Sequence, residues 1–249
     1  RRREPATVKW VLTPDEFSYV WQNETDLDRR PYPVNMAPAA TVRTETDHLS
    51  LRLPQRFARQ ADPDLAAALM LCARADATTI TVSGERTAAA GDCPERILAF
   101  AAVVHQHAAI LVAATSTVTV QMSHARALGE LLVEAIGPAR PGRAGTLREP
   151  QDAVLGATDH AGNGQTFSAN GERGAARFRR ALRKPVDGRG FITVTVEPDN
   201  PMSPPTRHRT WLDVSGDGRY LLTTADELTL TPVTDADFAC QLLKLAQIR

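Results

Sequence analysis

Two segments of this chain, AILVAATSTVTVQMSHARALGELLVEAI and RYLLTTADELTLTPVTDADFACQLLKLA, lie over each other without a gap. Ile110 falls on Tyr220 and Leu111 on Leu221. Val118, Thr119 and Val120 fall on Leu228, Thr229 and Leu230, and Leu128 and Leu132 fall on Phe238 and Leu242. Identity is low, but the apolar–polar phase and the order strand, turn, strand, capped helix agree. A unit used twice constrains the fold more than any composition value. Each half should carry several antiparallel strands followed by a helix, and duplicated units of this kind pair into one sheet with helices covering it. The expected architecture is therefore α+β. A central antiparallel sheet is built from two pseudo-two-fold-related halves, residues 1–138 and 139–249, within a single domain spanning 1–249. The 249 residues and 43% hydrophobic content suffice for a packed interior.

Local signals place the other elements. In TVKWVLTPDEF, a short strand precedes a helix with Thr13 as N-cap, Pro14 at the first position and Glu16 completing a capping box. Phe17, Val20 and Trp21 form its buried stripe. RRPYPVNMAP reads as proline punctuation around a short extended piece, and a polar helix from about Thr44 is limited by Pro54. DPDLAAALMLCARAD restarts helix behind Asp62, with Leu65, Leu69 and Cys72 on one face. TTITVSG is a strand, RILAFAAVV and AAILVAAT are two apolar strands around HQH, and Ser123 is the expected cap of the next helix, closed by Gly137-Pro138. PARPGRAG reads as a linker. A helix over PQDAVLGATDH, a Gly- and Asn-rich loop and a basic helix over ERGAARFRRALRK follow. Four strands and a closing helix capped by Thr234 complete the chain.

The chemistry that such a chain could carry is thin. Formal net charge is +0, which argues against a grip on nucleic acid or anionic membrane by the charge of the whole protein. Cys72, Cys93 and Cys240 are odd in number and far apart, without metal spacing, which fits a reducing cytosol. No apolar run approaches a membrane span of roughly 20 residues, and no signal-peptide pattern is present. The sequence opens on Arg1-Arg2-Arg3 without Met, so the native start is expected upstream, where a secretion signal stays open. His105 and His107 could bind metal from one strand face, with His124 downstream, and would then suggest a metal hydrolase. The overlay instead sets them against Ser215-Gly216-Asp217, a turn sequence, so they are expected at a hairpin tip. Asp213 and Asp217 lack the rest of a calcium ligand series. GNGQTFSANG lacks a phosphate-cradling context, and no nucleophile elbow exists. Asp235 and Asp237 suit the first turn of a helix. Arg173, Arg177, Arg180 and Lys184 share a helical face. They make a small-molecule or nucleic-acid module around Arg177 and Arg180 the alternative reading, against a solvated face opposite Ala175, Phe178 and Leu182. No catalytic residue, metal or cofactor is expected.

Three segments in order, LTPDEFSYVW with RRPYPV, DPDLAAALMLCARAD leading into a strand, and WLDVSGDGRYLLT near the end, resemble the EspG family. These are cytosolic chaperones of ESX (type VII) secretion in actinobacteria. The resemblance implies one antiparallel sheet with pseudo-two-fold symmetry flanked by two helical bundles. It also implies a function without catalysis: binding the exposed tip of the PPE protein in a PE–PPE heterodimer, keeping it soluble and directing it to its secretion system. A homodimer is compatible with this reading. In the family, the loop between the second and third strands, with nearby sheet and the C-terminal bundle, contacts the PPE tip. Carried over, the partner-binding residues are Ser83, Glu85, Arg86, Thr87, Asp92 and Pro94. The segment Gly84–Glu95 is small and polar, contributes little to a core, and suits recognition beside a rigid sheet.

Overall fold

Alternating apolar residues build most of the strands, and the computed structural model assembles them into one antiparallel sheet. It describes residues 8–87, 93–156 and 169–249. The N-terminal half contains β1 (Val8–Leu12), α1 (Pro14–Thr25), α2 (Glu45–Ser50), α3 (Leu53–Arg56), α4 (Pro63–Ala73), β2 (Thr78–Arg86), β3 (Glu95–Val104), β4 (His107–Ala113), β5 (Val118–His124) and α5 (Leu128–Ile136). The C-terminal half contains β6 (Leu147–Pro150), α6 (Gln151–Leu155), α7 (Ala169–Leu182), β7 (Val186–Thr195), β8 (Arg207–Val214), β9 (Gly218–Thr224), β10 (Glu227–Pro232) and α8 (Asp235–Leu245). The 10-stranded sheet runs β1-β5-β4-β3-β2-β7-β8-β9-β10-β6. Exchanging each N-terminal strand for its C-terminal counterpart reverses this order into itself. At its centre β2 pairs antiparallel with β7, Val82 facing Ile192. We infer a pseudo-two-fold axis through that pair.

Both copies of the repeated unit lie in the same sheet, but not in the gapless register. Ala113 faces Val118 across the β4–β5 turn, with four residues between them; Thr224 faces Leu228 across the β9–β10 turn, with three. The β3–β4 turn holds two residues between Val104 and His107, and the β8–β9 turn three between Val214 and Gly218. An insertion and a deletion of one residue therefore cancel. The structural partner of Ile110 is Leu221, not Tyr220. Ile110 and Leu221 share one core, whereas Tyr220 faces the other side of the sheet. A slip of one residue exchanges the faces of a strand.

On one face α5 and α8 pack side by side. Leu128, Leu132, Ile136, Phe238, Leu242 and Leu245 meet Ile80, Val82, Ile110, Ile192, Val194, Trp211 and Leu221 in a cluster that joins both halves. On the other face α1 and α4 cover β3 to β5, with Phe17, Trp21, Leu65 and Leu69 against Phe100, Leu111 and Val120. There α6 and α7 cover β8 to β10, with Val154, Ala175 and Phe178 against Val214, Tyr220, Leu228 and Leu230. Between these two helical groups no described helix covers this face of β2 and β7.

The capping box at α1 forms as expected: Thr13 accepts from the Glu16 N–H, and Glu16 accepts from the Thr13 N–H at 2.9 Å. Thr13→Ala is expected to cost about 1 kcal/mol, read as a lower urea midpoint at unchanged slope; an unmoved midpoint would remove Thr13 from the helix's energetics. Asp62 and Thr234 cap α4 and α8. Three expectations need correction. His124, not Ser123, caps the turn before α5, its Nδ1 accepting from the Arg126 N–H at 3.2 Å, because β5 extends through Ser123. Val34–Met36 is a 3-10 turn rather than extended. The expected linker is a fixed strap along β9: Arg219 N–H donates to Arg140 O at 2.8 Å, Gly142 N–H to Arg219 O at 3.0 Å, and Ala144 N–H to Tyr220 Oη at 2.9 Å. It leads into β6, an edge strand that the sequence pattern missed.

Candidate partner-binding site

The uncovered strip follows from strand alternation. On β2, Ile80 and Val82 point to the α5/α8 core, so Thr79, Thr81, Ser83 and Glu85 point the other way. On β7, Ile192 and Val194 are buried, so Arg189, Phe191, Thr193 and Thr195 share the open face. Paired rows run Glu85–Arg189, Ser83–Phe191, Thr81–Thr193 and Thr79–Thr195. Neither helical group reaches these rows, which leaves Phe191 66% exposed in the middle of a ten-stranded sheet. Tyr32, 51% exposed, overhangs from the α1 side, its hydroxyl 3.2 Å from Ser83 Oγ. The floor is polar and hydroxyl-rich, with two aromatic side chains standing on it.

The carried-over residues separate at this strip. Ser83 and Glu85 belong to it; Glu85 is paired with Arg189 at 2.7 Å across the central strands. Arg86 points to the opposite face, where it donates to the Ile136 carbonyl at the end of α5 and lies 3.9 Å from Glu95. Gly137, with φ 96°, ends that helix against the Arg86 guanidinium, a left-handed position where a side chain would collide. Arg86 thus ties the base of the β2–β3 connection to α5. Thr87 N–H donates to Asp187 O at 2.7 Å, and Pro94 is exposed just before β3. Asp92 lies outside the described residues. Phe191 and Tyr32 escaped the sequence reading. Phe191 left a signal, an aromatic in the polar phase of GFITVTV. Tyr32 left none, because the path of the chain after α1 sets its place.

The other candidates raised by the sequence lie elsewhere in the fold. His105, with φ 54°, is in the β3–β4 turn, and His107 opens β4 opposite His124. Among the described residues no cluster of three His, Cys, Asp or Glu is placed to hold a metal. On α7, Ala175 and Phe178 are buried while Arg173, Arg177 and Arg180 are exposed. Asp213 and Asp235 bind the buried Arg219, which stacks over the Phe238 ring at 5.5 Å. The Arg143 N–H, joined by Lys184 and Tyr220, holds the Asp217 carboxyl below its ordinary range against the opposing effect of burial. No described helix is long and apolar enough to cross a membrane.

No curated protein matches this sequence. The model of the EspG family matches residues 13–243, from the cap of α1 into α8. With nearly the whole sheet and its helices inside that span, the chain belongs to the EspG family of ESX secretion-associated chaperones.

Proposed function

We propose that this chain is a cytosolic chaperone that binds the PPE tip of a PE–PPE heterodimer, shields it from aggregation and delivers it to its own ESX system. The observation that carries the reading is the uncovered β2/β7 strip beside the β2–β3 connection, with Phe191 and Tyr32 exposed on a rigid floor. Two strands span about 10 Å. Such a trough suits a narrow protruding tip better than a broad globular surface. Aromatic anchors on a central, otherwise polar patch are the usual carriers of interface energy. The binding surface then comprises Ser83, Glu85, Thr87, Asp92 and Pro94 with Phe191 and Tyr32. Arg86 acts by holding the loop base to α5.

The test is co-expression with a cognate PE–PPE pair and sizing chromatography. The wild type is expected to co-elute with the pair. Phe191→Asp, and separately a Gly-Ser replacement of residues 87–92 that leaves Glu85 and Arg86 in place, are expected to lower affinity at least about 100-fold while keeping the melting temperature. Undiminished co-elution of both variants would move the site elsewhere.

A further inference from the structure

On the face that carries α5 and α8, the two wings of the sheet differ in chemistry. In the N-terminal wing one row runs across four strands: Ala99 pairs with Val112, Val112 with Thr119, and Thr119 with Val11. Because Leu221 is the counterpart of Ile110, the matching residues of the C-terminal wing are Arg209, Thr223, Thr229 and Arg148. Thr223 pairs with Thr229 and Thr229 with Arg148, while Arg209 and Thr223 follow directly on the Thr210–Leu222 pair. Strand alternation sets their side. Trp211 and Leu221 belong to the α5/α8 core, whereas Leu147, Leu228 and Leu230 pack on the other face. A largely apolar row in one half is thus, in the other, two arginines flanking two threonines.

Arg207 stands two residues before Arg209 on the same side of β8 and donates to the Leu245 carbonyl, at the negative end of α8, at 3.4 Å. Arg209 donates to the carbonyl of its own neighbour, His208, at 2.7 Å. Both arginines are half-buried, and among the described residues neither has an ion-pair partner. Burial, and then the charge of Arg207, hold the Arg209 guanidinium below its ordinary pKa. At the sheet edge Arg148 is exposed, with Glu227 at 3.3 Å. An exposed pair of this kind is worth little and opens readily for another carboxylate. Packing does not call for two like charges side by side, since the other half fills the Arg209 position with Ala99. An anion from outside would relieve the repulsion.

We propose that this wing binds an acidic, extended segment of another protein, with carboxylates on Arg209 and Arg148 and the intervening backbone over Thr223 and Thr229. Arg209 and Arg148 are three strand spacings apart, about 14 Å, and acidic side chains four residues apart in an extended chain are separated by about 13 Å. Carboxylates match the guanidinium fork in both charge and shape. Nucleic acid fits less well. The row offers no aromatic side chain on which a base could stack, and a formal net charge of +0 supplies no long-range attraction. The wing lies on the face opposite the β2/β7 strip, so its partner does not compete with the one proposed there.

Fluorescence anisotropy on the full chain alone tests this. The probe is a labelled Gly-Ser peptide carrying two glutamates four residues apart. The same peptide with glutamines, and a short single-stranded oligonucleotide of equal charge, serve as comparisons. At about 0.01 M salt, where screening across the patch is slight, the glutamate peptide is expected to bind at least about tenfold more tightly than either. Arg209→Gln and Arg148→Gln are each expected to abolish that preference, whereas Arg177→Gln on α7 leaves it as in the wild type. Arg209→Gln also removes one of two repelling charges, so its melting temperature is expected to equal or exceed that of the wild type. Equal binding of the two peptides, a preference for the oligonucleotide, or undiminished binding by either variant overturns the proposal. If Arg209→Gln lowers the melting temperature, Arg148→Gln, at an exposed edge position, decides.

Discussion

Arg219→Ala is expected to destabilise the protein by about 3–5 kcal/mol, the range for breaking a buried ion pair on one side. Arg219 is 1% exposed. Its guanidinium grips Asp213 through both oxygens, at 2.7 and 2.8 Å, and reaches Asp235 at 3.3 Å in the first turn of α8. Its backbone is tied to the strap and to Val233. Truncation leaves Asp213 and Asp235 facing a void and loses the packing over Phe238. Against a total stability of roughly 5–15 kcal/mol, such a loss moves the urea midpoint far enough to read without ambiguity. A double variant, Arg219→Met with Asp213→Leu, removes both charges and should recover much of the loss, since apolar replacement of a buried pair is often near neutral. A single-variant cost below about 1 kcal/mol would mean that water already solvates this arginine.

Gly190→Ala should cost about 3 kcal/mol, at the upper end of overpacking effects. A Cβ there would fall inside the Trp211 ring and against the Ser83 carbonyl oxygen. Gly84, its neighbour across the central pair, is closed off by the same ring. Trp211 is fully buried and cannot retreat, because β3 and the α5/α8 core surround it. The diagnostic measurement is a double-mutant cycle with Trp211→Leu. The smaller side chain is expected to accept the added methyl, so the two costs should fall short of their sum by at least 1 kcal/mol. Additive costs would show that the Ser83 carbonyl, not the indole, sets the limit.

How much of this was legible in the sequence depends on the number of faces a strand buries. β2 and β7 alternate apolar with polar, so TTITVSG and GFITVTV announce their inward sides. β4 buries both: Ala108 and Ile110 toward α5 and α8, Ala109 and Leu111 toward α1 and α4. A strand apolar on both sides has no phase to read. That is why the gapless overlay of Ile110 on Tyr220 looked sound while being one residue out. Caps were readable because Thr13, Asp62 and Thr234 act within three residues of themselves. β6 was not, since four residues with Arg, Glu and Pro hold no pattern and owe their extension to pairing with β10. The strip was half legible: Phe191 stood out of phase, whereas its exposure depends on where two distant helical groups stop.

The central seam shows what one continuous chain can do that two identical chains cannot. On one side of the Val82–Ile192 pair, Trp211 fills the space over Gly84 and Gly190. On the other side, at the matching position, Ala101 leaves room for Ile80 beside Val194. In a sheet formed by two copies of one sequence, every residue at the seam would occur twice. A tryptophan introduced on one side would force a second on the other, and glycines would be required at both ends of the join. Here bulk is concentrated at one end and aliphatic packing at the other. Joining the halves in a single polypeptide thus frees each side of the seam to change by itself, and the same independence applies to the surface above it.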